Sequence, residues 1–171
     1  MPAPRTFIAS AEVFLVNPSS IINSAENPYS NVSEMNTPLY AGSVKIPWKF
    51  KTDEVEFLGT NGSYTQVLGL EPIEMEMTIN SWSLEFIDAM IGRDESDRPY
   101  SKAVTFLIRG ILQEQGSSRR DEVQVITFGQ MIDGDLFSLE AGAAQKTDYT
   151  FSIQKLSIKS RGRSNNYNLV G

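Results

Sequence analysis

Histidine and cysteine are both absent from the 171 residues. Counting alone therefore excludes a zincin, a zinc finger, a Ser-His-Asp or Cys-His nucleophile system, an iron-sulfur ligand set and a disulfide frame. Asp and Glu together number 21, so a carboxylate-pair hydrolase or a carboxylate-only magnesium site survives that filter. Positive charge is in deficit: 15 Lys plus Arg give a net charge of -6 and a pI of about 4.7. Proteins that grip a phosphate backbone do so with clustered cations, so stable wrapping of nucleic acid is not expected. An acidic wall would instead let nucleic acid pass without adhering. No run of about 18 apolar residues occurs, and Met1 to Ser10 lacks an apolar core of signal-peptide length. The expectation is a soluble chain made in the cytoplasm, with no membrane anchor and no cofactor.

What is present describes a folded protein. Apolar residues make up 40%, aromatics 10% and charged residues 21%, a balance unlike that of disordered or collagenous chains. The length suits one domain over residues 1–171, removing roughly 70% of the unfolded surface from water. Thr6 to Asn17 reads as a first strand, stopped by Pro18. Residues 18–38 are rich in Ser, Asn and Pro and read as a long polar arm suited to contacts between subunits. Tyr40 to Phe50 alternates, with Pro47 arguing against a central place in a sheet. A hairpin follows, from Val55–Leu58 to Tyr64–Leu70, turning at Asn61-Gly62.

The segment Ile73 to Asn80 alternates without a fault. Ile73, Met75, Met77 and Ile79 belong to a core face, while Glu74, Glu76, Thr78 and Asn80 point the other way. Ser83 is placed to cap a short helix whose packing residues are Leu84, Phe86, Ile87, Met90 and Ile91, with Gly92 as its stop. Lys102 to Leu112 is a strand. A second hairpin is expected at about 121–140, its arms Val123–Ile132 and Leu136–Leu139 joined at Asp133-Gly134-Asp135. The last strand starts near Lys146 with Tyr149, Phe151 and Ile153 inward, and Leu156 and Ile158 then take the opposite parity, which a β-bulge near Lys155 would explain. The tail from Ser160 is polar and expected to lie on a surface or a neighbour. One helix among about eight strands predicts a mainly β fold, an antiparallel β-sandwich or barrel with one short flanking helix. Its open strand edges need partners, and pairing across subunits is one solution.

In their order, these blocks resemble the major tail tube proteins of contractile-tailed bacteriophages and phage-tail-like particles. The likeness lies in Lys45-Ile46-Pro47 opening a strand, the turn around Gly59 and Gly62, and Gly69-Leu70-Glu71 leading into Met75-Glu76-Met77. It continues through Asn80, the helix ending at Gly92, Arg109-Gly110 with Gln113-Glu114, Glu140-Ala141-Gly142, and the strand with Lys146, Tyr149 and Lys155-Leu156. The hairpin at 121–140 looks inserted relative to that pattern, and the arm longer than usual. The resemblance implies a homo-hexameric ring whose subunits share strands in one inner β-barrel, with rings stacking into a tube. It also implies a sheath protein outside, baseplate and terminator proteins at the ends, DNA passing without specific binding, and a place in the virion tail after assembly in the host cytoplasm. Glu74, Glu76, Thr78 and Asn80 would then face the lumen.

The same residues admit other readings. A catalytic Glu74–Glu76 pair lacks an aromatic sugar platform nearby. Asp133-Gly134-Asp135 is a turn more readily than a fragment of a calcium loop, which needs five or more ligands at set positions. Arg119-Arg120, Arg161 and Arg163 suit solvated loops or salt bridges between rings better than phosphate contacts. Met75 and Met77 are packing residues. A monomeric β-sandwich binding module, for example for carbohydrate, is the alternative function.

Overall fold

The structure, a computed structural model, describes residues 6–16, 36–39, 41–56, 59, 62–80, 83–136, 141–143 and 145–169. Twelve strands and one helix occur in the described residues. The strands are β1 (Thr6–Val16), β2 (Asn36–Leu39), β3 (Ala41–Lys45), β4 (Phe50–Glu56), β5 (Ser63–Leu70) and β6 (Ile73–Ile79). After helix α1 (Leu84–Met90) come β7 (Ile91–Arg93), β8 (Pro99–Ser101), β9 (Ala103–Glu114), β10 (Arg120–Gly134), β11 (Thr147–Ser160) and β12 (Arg163–Asn168). The fold class is mainly β with one short helix, and its main antiparallel sheet curls into a half-barrel.

That sheet runs β2-β1-β9-β10-β11-β6-β3, with β12 also paired to β11. Strand β11 shares one of its sides between two partners: residues 147–153 face β6 and residues 155–160 face β12. One sheet face is apolar and carries the core. Met75, Phe151 and Met90 have no exposed surface, and Met77 and Phe106 are 1% exposed. Helix α1 closes this face with Phe86, Ile87 and Met90, and the Phe86 ring stands edge-on to Tyr149 at 5.4 Å. Burial along β6 alternates over all seven residues, with Ile73, Met75, Met77 and Ile79 inside.

The parity switch in the last long strand is a bulge. Phe128 pairs with Lys155 and the next residue, Gly129, with Ile153, so Gln154 is the extra residue. Tyr149, Phe151 and Ile153 are buried before it and Leu156 after it, as the sequence parity predicted.

Several expectations need correction. The strand expected from Tyr40 breaks at residues 46–49, where Pro47 offers no N–H to a ladder; Tyr40 itself lies outside the described residues. Residues 36–38, expected within the arm, belong to β2, which pairs with residues 13–16 of β1; residues 18–35 lie outside the described residues. The β4–β5 hairpin exists, but Glu56 pairs with Ser63, so six residues connect the strands instead of two. Positive φ occurs there at Gly59 (83°), while Asn61 lies outside the described residues.

Of the hairpin expected at 121–140, the first arm, Val123–Ile132, lies within β10, which ends at Gly134. β10 lies between β9 and β11 as far as Gln130, and beyond it pairs with β11 alone up to Gly134, which faces Tyr149. Leu136 lies outside every strand, and residues 137–140 lie outside the described residues. The polar tail lies on the surface, its residues 163–168 forming β12 along β11. Gly92 does not stop the helix. Ile91 already has extended angles (φ −119°, ψ 121°), and Gly92 sits in β7 beneath the Tyr100 ring, where an added Cβ would come within 2.3 Å of Cζ. Ser83 occupies the N-cap position but makes no side-chain capping bond.

Candidate functional site

Strand β6 lies between β11 and β3, so its outward residues sit in a laddered surface. Glu74 and Glu76 are exposed, and Thr78 is half-buried. Across the sheet, Glu74 pairs with Ser152, Glu76 with Thr150 and Thr78 with Asp148 on β11, while Lys45 on β3 pairs with Glu76. The Thr78 hydroxyl donates to Asp148 Oδ1 at 2.6 Å. Directly opposite pairs on one face lie about 5 Å apart, so Asp148 joins the two glutamates in one acidic patch. The patch continues onto β10, where Asp133 pairs with Thr150 and Gln130 with Ser152. The sequence reading did not single out Asp148 and read Asp133 as part of a turn. The alternation of the last strand put Asp148 on the polar side, but its partner across the ladder depends on register.

Asn80 lies one residue past the end of β6 and is exposed. Its side-chain amide rests against Gly42, where an added Cβ would be 2.9 Å from Nδ2. Asn80 therefore packs on the β3 backbone at the end of the stripe. The five residues expected to pack the helix divide. Phe86, Ile87 and Met90 enter the core, whereas Leu84 is 58% exposed. At 3.6 residues per turn, Leu84 lies more than a quarter turn from the middle of the arc that the other three define. Ile91 belongs to β7 and is half-buried against the core.

The main sheet carries two further features. A groove of about 690 Å³ is lined by Val16, Thr105, Ile126, Phe128, Lys155 and Ser157, among others. Lys155 Nζ stands over the Phe128 ring, 5.9 Å from its centre. Near the sheet's other end, Arg109 pairs with Glu122 at 2.7 Å, and Asp121 accepts from Arg161 and lies 3.6 Å from Arg119. The Arg161 hydrogen bond above all, then the nearby guanidinium charges, hold the Asp121 carboxyl below its ordinary range. Hydrogen bonds from Gln124 and then Arg109 do the same for Glu122. Arg119 and Arg161, weighed above as contacts between rings, are thus joined within the subunit through one carboxylate.

The blocks on which the sequence resemblance turned fall largely on this framework: Lys45 ends β3, Gly69-Leu70 ends β5, Met75-Glu76-Met77 lies in β6, Arg109-Gly110 in β9, and Tyr149 with Lys155-Leu156 in β11. The family model of phage tail tube protein FII matches residues 36–165. The chain belongs to that family. A search of curated proteins finds no match. Membership in the tail tube family makes this a structural component of a virion tail that assembles into a tube with other tail proteins. The matched region runs from β2 to the start of β12 and includes the acidic strand, the helix and β10 entire.

Proposed function

We propose that this tail tube protein closes into hexameric rings that share strands in one inner β-barrel. The rings stack within a contractile sheath, are bounded by baseplate and terminator proteins, and conduct DNA during ejection. The family match over residues 36–165 carries the reading. The strand edges favour it. β2, β3 and β12 end the described pairing of the main sheet, and open edges of a long sheet call for pairing with further strands.

In this assembly Glu74, Glu76 and Thr78, with Asn80 at the end of the stripe, face the lumen. Six copies of Glu74 and Glu76 set about twelve carboxylates in each ring, a like-charge field that repels phosphates and keeps passing DNA from adhering. Repulsion of this kind acts over roughly a Debye length, about 8 Å at physiological salt. The experiment is Glu74→Lys with Glu76→Lys. Because both side chains are exposed, the variant should fold and form tubes visible by negative-stain microscopy, but release DNA more slowly. The delay should shrink as salt rises. Wild-type protein that stays monomeric at high concentration overturns the tube reading, whereas tubes with unchanged DNA release overturn the lumen assignment.

A further inference from the structure

Asp133 and Gly134 are the last residues of β10, and Asp133 is the only aspartate of the chain that a glycine follows. Both are exposed. The strand is held on one side alone at this point, since β9 pairs with β10 only as far as Gln130 while β11 pairs on to Gly134. The Gly134 N–H donates to Oδ1 of Asp133 at 2.9 Å. That hydrogen bond turns the carboxyl back along its own main chain and brings Cγ beside the Gly134 nitrogen, the two atoms whose union would close a five-membered imide ring. Glycine has no side chain to crowd the approach, and its backbone has the widest choice of angles.

We infer that Asp133-Gly134 is a site of spontaneous isomerisation to isoaspartate. The Gly134 nitrogen bonds to Asp133 Cγ and gives up its proton, the carboxyl hydroxyl leaves with that proton as water, and a succinimide closes. Water then adds to one of the two ring carbonyls. Addition at Cγ restores aspartate, whereas addition at the main-chain carbonyl yields isoaspartate, whose chain runs through Cβ and Cγ. The conversion needs no enzyme and no oxidant, and it leaves the mass unchanged. The fold also holds the glycine in place. A Cβ at position 134 would lie 2.5 Å from Cδ1 of Tyr149, whose buried ring stands edge-on to Phe86. Isoaspartate adds one carbon to the main chain next to the Gly134–Tyr149 pair, so it loosens this corner of the core. The inference stands apart from the tube reading.

Full-length folded protein is incubated at physiological temperature, sampled over weeks and digested with trypsin. Asp133 falls in the peptide Asp121–Lys146, which also carries Asp121 and Asp135 and contains no asparagine, so deamidation cannot supply the signal. Fragment spectra that separate isoaspartate from aspartate should show conversion at 133 several-fold ahead of 121 and 135, and labelling of this peptide by an isoaspartyl methyltransferase should rise in step. Asp133→Glu keeps the charge but would need a six-membered ring, and its peptide should stay unlabelled. Aged wild-type protein should unfold at lower urea than fresh protein, and the aged variant should not. Conversion at 133 no faster than at 121 and 135 overturns the inference. So does conversion that appears only when the incubation is done in unfolding urea. An unchanged urea midpoint in fully converted protein overturns the loosening at Tyr149.

Discussion

Phe151 shows at the scale of one residue what the core demands. It has no exposed surface, and its ring stands edge-on to Phe106 at 4.9 Å. Phe151→Ala should lower stability by about 3–5 kcal/mol in urea unfolding, from lost transfer energy and the cavity left behind. Tyr149, two residues earlier on the same face, adds a pH dependence. Burial first, and the Asp135 charge less strongly, push its hydroxyl above the ordinary value of 10.0, while a Thr147 hydrogen bond opposes the shift. A group whose folded pKa is raised lends stability that is complete below the unfolded pKa and lost as pH rises through the folded one. Wild-type protein should therefore lose stability above about pH 10. Tyr149→Phe should lose less over the same interval, read as the change in urea midpoint between neutral and alkaline buffer.

Among the elements, the β10–β11 pair shows how one extra residue organises a strand. The bulge at Gln154 moves the inward set from Tyr149, Phe151 and Ile153 to Leu156, so both halves of β11 keep apolar side chains in the core. The crossing strand must approach closely there. At Gly129 an added Cβ would lie 2.1 Å from the Ser152 carbonyl oxygen and 3.0 Å from its carbon, and backbone atoms in a ladder cannot swing aside. Gly129→Ala should cost about 1–3 kcal/mol through overpacking. The loss should appear in denaturant unfolding and as shifts of the Ser152 and Ile153 amides in NMR spectra.

Across the whole molecule, stability is uneven. β10 is bonded on both sides by strands of similar length, while β4 and β5 bond to each other in a separate sheet. Local opening follows that difference, since segments with few buried contacts exchange first. In hydrogen exchange on the monomer, amides of residues 123–131 should be the most protected and those of residues 51–56 and 63–68 should exchange early. Equal protection of both in the monomer would overturn that order.

The sequence by itself determined the features that depend on short-range order. Side chains in a strand alternate at every second residue, so Ile73 to Ile79 declared its two faces, and the parity change between Ile153 and Leu156 declared the bulge. The absence of histidine and cysteine narrowed the chemistry without any structure. Tertiary structure decided what depends on partners distant in the chain. Asp133-Gly134-Asp135 has the composition of a turn, yet Asp133 and Gly134 pair with Thr150 and Tyr149 as the last residues of β10, because ladder bonds to β11 outweigh a local turn preference. Residues 163–168 are all exposed and carry no apolar alternation, and they form β12 through backbone pairing with β11. The place of Leu84 followed from how the helix lies on the sheet, and the meeting of Thr78 with Asp148 from strand register. Residues 70 positions apart are brought together by the way backbone groups pair across the sheet, which no local periodicity encodes.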